Sequence, residues 1–143
     1  MAMGNKPVIT IETIVIRDMN RVWTCWTEPR HIMQWNNASE DWHTPSAEND
    51  LRVRGTFTYK MAAKDGSFSF DFGGVYDEVQ YGKRIAYTLG DGRKVRIDFM
   101  ESDGGVKVIE TFEAEETNSL EMQRDGWQAI LDHFKHYAEM KMN

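Results

Sequence analysis

Three glycine-containing turns, each flanked by segments in which apolar and polar residues alternate, constrain this chain more than any other feature. Alternation with a period of two marks a strand with one buried face, and a tight turn fixes which residues lie opposite each other. Leu51, Val53, Phe57, Tyr59 and Met61 alternate with Arg52, Arg54, Thr56, Thr58 and Lys60, and after Asp65-Gly66 the residues Phe68, Phe70 and Phe72 alternate with Ser69 and Asp71. A two-residue Asp-Gly turn sets Tyr59 opposite Phe72 and Met61 opposite Phe70, so turn chemistry and hydrophobic pattern agree. Between Ile85-Tyr87-Leu89 and Val95-Ile97-Phe99, a two-residue turn would set apolar residues opposite Arg96 and Asp98. A three-residue Gly90-Asp91-Gly92 loop with Gly92 left-handed instead pairs Tyr87 with Val95 and Ile85 with Ile97. At Asp103-Gly104 the two-residue turn pairs Phe99 with Val108, and it also sets Glu110 opposite Ile97 on the apolar face. The pair Gly73-Gly74 reads as a bulge that bends its strand.

The remaining segments complete an α+β pattern. Val8 to Ile16 is β-branched and apolar enough to be a strand covered on one face or both. Asp18 is placed to cap a short helix carrying Val22, Trp23 and Trp26, and Glu28-Pro29 starts a second with Ile32, Met33 and Trp35. Asn36 to Asn49 is polar and irregular, interrupted by Trp42 and Pro45. Ser119 to Met142 reads as one long helix, with Asn118 and Glu121 as a capping-box variant. Its residues Leu120, Trp127, Ile130, Leu131, Phe134, Tyr137 and Ala138 form one apolar stripe. Gly126 inside that helix costs roughly 1 kcal/mol relative to Ala, and a close backbone approach would account for it. A sheet with one apolar face and a helix with one apolar stripe must bury each other. The expected architecture is a curved antiparallel sheet of about six strands around a long C-terminal helix, with two short helices after the first strand, as one domain over residues 1–143.

Charge and composition narrow the functional classes. Seventeen Lys and Arg against 23 Asp and Glu give a formal net charge of −6 in 143 residues. Nucleic-acid binders carry the opposite sign, and the densest basic stretch, Arg52-Val53-Arg54, is only two arginines on one expected strand face. Apolar runs such as Ile14-Val15-Ile16 fall far short of the roughly 20 residues that span a bilayer, and Met1 to Lys6 lacks the apolar segment of a secretory signal. The single Cys25 cannot form an intramolecular disulfide and suits a reducing, cytoplasmic compartment. The unusual feature is the load of large apolar side chains: 5 Trp, 5 Tyr, 7 Phe and 9 Met at a mean hydropathy of −0.61. They either fill the core or line a hole inside it.

Several segments, in order and spacing, carry a resemblance. They are Val22-Trp23, Glu28-Pro29, Gln34-Trp35, Asp50-Leu51-Arg52-Val53 with Gly55 and Phe57, Asp65-Gly66, Gly74-Val75-Tyr76, Arg84 to Thr88, and Gly126-Trp127 with Leu131 and Phe134. From about Ile9 to Tyr137 the chain resembles the START-like (SRPBCC) superfamily, and within it the subgroup named after the activator of the heat-shock-protein-90 ATPase. The resemblance implies the helix-grip fold, which tends to leave a cavity between sheet and helix, and a cytoplasmic, stress-response setting. It also implies two kinds of partner, a small hydrophobic or amphipathic molecule in that cavity or a chaperone. Two departures stand out. Arg54-Gly55 replaces a common glycine pair, and Asn36-Asn37 stands where relatives carry another aromatic, which would make the cavity mouth more polar. The chain resembles only the C-terminal domain of the eukaryotic activator.

Candidate site residues follow from the wall and the stripe. Phe57, Tyr59, Phe68, Phe70, Phe72, Tyr87, Ile97 and Phe99 on the sheet face Ile130 and Phe134 on the helix, with Trp35 and Trp42 at the entrance. Glu110 interrupts the inward series Val106, Val108 and Phe112. A buried carboxylate has to be paired, wet or protonated, so Glu110 is the candidate polar anchor or general acid/base. A cyclase, dehydratase or hydrolase would need it, but no Ser/His/Asp order, paired-carboxylate motif or phosphate loop accompanies it. His133 and His136 have a spacing compatible with a metal but no convincing third ligand. The reading therefore assigns no metal, no cofactor and no established catalytic residue, and leaves monomer and homodimer both open.

Overall fold

A computed structural model describes residues 6–140 as a strongly curled antiparallel sheet wrapped around one helix. The elements in chain order are β1 (Val8–Val15), α1 (Met19–Thr27), α2 (Pro29–Trp35), β2 (Trp42–Asn49), β3 (Thr56–Ala63), β4 (Ser69–Gln80), β5 (Arg84–Leu89), β6 (Lys94–Ser102), β7 (Gly105–Glu113) and α3 (Leu120–Glu139). Seven strands lie in the spatial order β1-β7-β6-β5-β4-β3-β2, so the meander closes by returning β7 to β1. Alternation buries Ile9, Ile11 and Val15 on the inner face of β1 and leaves Val8, Ile14 and Ile16 exposed, so that strand is covered on one face only.

The three turns hold the anticipated registers. Tyr59 pairs with Phe72 and Met61 with Phe70, although the loop between β3 and β4 is longer than two residues, with Ala63 N–H reaching Phe68 O at 2.8 Å. Tyr87 pairs with Val95 and Ile85 with Ile97 across a three-residue loop whose Gly92 has φ of 92°. Phe99 pairs with Val108 and Ile97 with Glu110. Asp18 caps α1 by accepting from Arg21 N–H at 2.8 Å, and Pro29 occupies the first turn of α2.

Other expectations are corrected. Residues 42–49 are an edge strand rather than an irregular stretch, which raises the count from six to seven. Only Thr44 is buried along β2, so no hydrophobic alternation betrays it, and Pro45 is tolerated because an edge strand leaves some backbone groups unpaired. Leu51 to Gly55 is a turn rather than the start of β3. Arg54 has φ of 71° and its N–H reaches Tyr76 O at 2.8 Å, while Val53 is exposed. Gly73 and Gly74 are regularly paired on β3. A Cβ would meet Phe57 O at 2.5 Å from Gly73 and Thr88 O at 2.3 Å from Gly74, so these glycines allow close strand approach, and the register break lies between Tyr76 and Glu78. The cap of α3 is Ser119, which accepts from Met122 N–H at 3.0 Å, because Asn118 is held by the Glu115 carboxylate. The helix ends at Glu139 with Met140 as its C-cap, and Met142 lies outside the described residues.

Candidate functional site

The space between the concave face and α3 has a packed end and an open end. At the packed end Phe99 lies against Trp23 and Trp26, with ring centroids 5.2 and 5.9 Å away. Phe134 from α3 fits between Trp26 and Trp35 at 4.7 and 5.0 Å. Ile97 is wholly buried in the core. At the other end lies a pocket of about 330 Å³. Its volume corresponds to roughly ten water molecules and falls within the range typical of small-molecule sites.

Strand alternation aims the sheet residues into this pocket. Phe57, Tyr59 and Met61 come from β3, Phe70, Phe72 and Tyr76 from β4, Ile85 and Tyr87 from β5, and Glu110 from β7. Helix α3 supplies Met122, Gln123, Gly126, Trp127, Ile130 and Leu131, while Trp26, Trp35 and Asn36 close the inner end. Trp127 stacks flat on Phe112, with centroids 3.9 Å apart and an interplanar angle of 9°, and meets the Phe72 ring at 6.0 Å. Phe57 is the hub of the opposite wall, 4.7 Å from Tyr87 and 5.1 Å from both Tyr59 and Tyr76.

Of the residues anticipated from sequence, Trp35, Phe57, Tyr59, Phe70, Phe72, Tyr87, Glu110 and Ile130 line the pocket. Ile97, Phe99 and Phe134 do not: Phe99 and Phe134 are consumed by packing against the tryptophans of α1 and α2, and Ile97 is wholly buried in the core. Trp42 and Phe68 form a separate cluster with Phe70 at the β3–β4 tip, with centroids about 6 Å apart and Phe68 60% exposed. Neither tryptophan stands at the mouth: Trp35 is buried, its Nε1 donating to Cys25 O at 2.9 Å, and Trp42 lies outside. Phe70, Asn118 and Met122 are the exposed residues of the lining. Asn36 does add a polar group to the lining, whereas Asn37 turns away to Ser39 O.

Tyr76 is missing from the anticipated set because a bulge at Gly73-Gly74 would have broken the alternation. The unbroken inward series runs Phe72, Gly74, Tyr76. Trp127 was visible on the helix stripe but not assigned to the site. Gly126 has a different reason from the one anticipated. A Cβ there would meet nothing within 4 Å, so no backbone approaches it, and the missing side chain leaves room in the pocket.

The polar lining is organised. Tyr76 donates to Asn49 Oδ1 at 2.5 Å and interacts with the Tyr59 hydroxyl, and Asn49 in turn donates to Thr27 O at 2.7 Å. This chain of contacts ties the end of α1 to β2, β4 and β3. Burial raises the hydroxyls of Tyr59, Tyr76 and Tyr87, with Tyr76 pushed up to about 12. Gln123 accepts from Glu115 N–H at 2.8 Å and donates to Glu115 O and Asn118 O, fastening the β7–α3 connection. Glu110 is only 6% exposed, and burial raises its carboxyl to about 8. It is flanked in register by Ile11 and Ile97, and no described residue donates a hydrogen bond to it. No fully enclosed side-chain polar atom among the described residues lacks a partner, so its unbonded oxygens are those that open on the pocket.

Comparison with known families settles the evolutionary placement. Residues 18–139 match the profile of the "Activator of Hsp90 ATPase homolog 1-like protein" family. The chain belongs to this family. A member from Aeromonas hydrophila, solved in solution, is 44% identical over 93% of this chain and 92% of its own, with a TM-score of 0.88. A Cytophaga hutchinsonii protein is 56% identical over 95% and 93% of the two chains, at a TM-score of 0.81. A Nitrosomonas europaea protein, 19% identical over 92% and 94%, shares the fold at a TM-score of 0.81. A search of curated proteins returned no match. The helix-grip architecture of the START-like superfamily is thus the architecture of this activator-homologue-like domain.

Proposed function

We propose that this domain binds a small amphipathic organic molecule in the pocket between the sheet and α3. The observation that carries the reading is the combination of an aromatic-walled space of about 330 Å³ with one buried carboxyl that the protein leaves unbonded. An apolar site with a few convergent polar groups is the usual form of a small-molecule site. Gly126 supports the same reading, because a glycine in a helix interior is unfavourable unless the space it leaves is used.

A thermal-shift screen of small amphipathic molecules, followed by NMR titration of the hits, tests this. Hits are expected to raise the melting temperature and to perturb Phe57, Tyr87, Gly126 and Trp127 together. Perturbations confined to the exposed Trp42–Phe68–Phe70 tip would contradict it. The family description supports a second reading, stimulation of a chaperone ATPase. Stimulation of the host's own Hsp90 homologue by the purified domain is its test, and no stimulation at saturation would reject it.

A further inference from the structure

Resting on the ligand-binding reading, the polar groups of the pocket also indicate which sort of head group it takes. Most of them are already committed. The Arg93 guanidinium holds Asp91 Oδ2 at 2.8 Å, and Glu115 accepts from the backbone and side-chain N–H groups of Asn118 at 2.5 and 3.2 Å. Asn36 is engaged with Thr44, and Gln123 with the backbone of the β7–α3 connection. Tyr59 and Tyr76 belong to the network that ends on Thr27. Glu110, the neighbouring Tyr87 hydroxyl and the indole N–H groups of Trp26 and Trp127 are left without a hydrogen-bond partner among the described residues, and of these Glu110 alone can carry a negative charge near neutrality. Around them stand the rings of Phe57, Phe72, Tyr87 and Trp127, and an aromatic face attracts a cation. The lining has two carboxylates and a single guanidinium, which is itself neutralised by Asp91. With the net charge of −6, the field at the site favours positive ligands.

We propose that the pocket takes a hydrophobic organic monocation, an amine on an aromatic or aliphatic body, whose ammonium pairs with the Glu110 carboxylate while the body lies against the aromatic wall. The ammonium supplies the donor that Glu110 lacks and the charge that makes an ionised buried carboxylate tolerable. In the empty pocket burial keeps Glu110 largely protonated near neutrality, so uptake of the cation releases its proton to solvent. The other titratable and charged groups of the lining are Tyr87 from β5, which neighbours Glu110, Tyr59 from β3, Tyr76 from β4, Arg93 from the β5–β6 loop and Glu115 after β7. The α3 lining contributes no charged residue. The tyrosines stay neutral throughout the range concerned, because burial raises them.

The test is isothermal titration of the full chain with 4-phenylbutylamine, 4-phenylbutan-1-ol and 4-phenylbutanoate, in two buffers of different ionisation enthalpy. The amine is expected to bind roughly tenfold or more tighter than the alcohol, as a charge-assisted contact requires, and to release about one proton near neutrality. Its affinity should rise with pH from about 6 to 8, as the carboxyl becomes easier to ionise. Glu110→Gln should bring the amine-to-alcohol affinity ratio close to one and abolish proton release. An alcohol or carboxylate that binds as tightly as the amine, or an amine preference that survives in Glu110→Gln, overturns the cation assignment and leaves the pocket reading standing. Absence of binding by all three probes at millimolar concentration, with no hit in the amphipath screen, overturns both.

Discussion

At the scale of single residues, Glu110 is a buried carboxyl with no hydrogen-bond donor among the described residues. Its position on β7 makes it point inward, because Val106, Val108 and Phe112 share its parity, and the β1 and β6 partners are both isoleucine. Desolvation raises its carboxyl from 4.5 to about 8 in the folded state. A raised folded pKa means that stability is fully present below about pH 4.5 and is lost as the pH climbs through about 8. Glu110→Gln removes that loss. The variant is expected to be more stable than the parent by on the order of 3 kcal/mol near neutral pH, and to be equal to it near pH 4. Urea denaturation across the pH range checks this, and equal stabilities at neutral pH would show that the carboxyl is well solvated. Arg54 offers a second, smaller test. A non-glycine residue at φ of 71° is strained, and its side chain is exposed, so Arg54→Gly should gain about 0.5–1 kcal/mol in the same assay.

At the scale of elements, α3 does two things with opposite faces. Its apolar stripe covers the concave sheet, and its flank seals the β1 edge. Arg124 donates to Thr10 O at 3.1 Å, Gln128 to Glu12 O at 3.4 Å and Lys135 to Ile14 O at 2.6 Å, while Glu139 accepts from Ile16 N–H at 2.8 Å. These side chains occupy carbonyls that another strand would otherwise pair with, which is a known way to protect a sheet edge. The triple variant R124A/Q128A/K135A should lose roughly 1–2 kcal/mol of stability and begin to self-associate, measured by sedimentation at increasing concentration. A monodisperse variant would show that the edge is protected by other means. Gly126 tests the inner face. Since a Cβ meets nothing there, Gly126→Ala should raise stability by about 0.5–1 kcal/mol in thermal denaturation, through helix propensity alone. A loss of stability would mean that the pocket is tighter than described.

The element scale also shows how far the sequence could be read. The hairpins β3–β4, β5–β6 and β6–β7 were legible because each of their turns admitted one register that kept apolar residues together, and Glu110 was legible as the intruder in that register. Strand β2 was not, since an edge strand with one buried residue has no pattern to detect. The turn at Leu51–Gly55 mimicked a strand by accident of alternation, and only the left-handed Arg54 distinguishes it. In the site, strand parity gave the sheet wall. It could not say where packing stops and open space begins, because that boundary depends on how Trp23, Trp26 and Trp35 stack on Phe99 and Phe134.

At the scale of the whole molecule, the aromatic load is divided between two tasks. One group, at the α1–α2 end, makes a solid core that fixes the helices on the sheet. The other, Phe57, Tyr59, Phe72, Tyr76, Tyr87 and Trp127, surrounds the pocket. A curled sheet gripping a single helix cannot close its interior with backbone, so side chains or a guest must fill it. The most direct test is native mass spectrometry of the protein purified from its own host, beside Gly126→Leu, which adds a bulky side chain on the pocket lining at a position where a Cβ meets nothing within 4 Å. The wild type is expected to carry a small-molecule adduct that disappears on denaturation, and Gly126→Leu to be folded and bare. An adduct-free wild type whose melting temperature no amphipath raises would contradict the account.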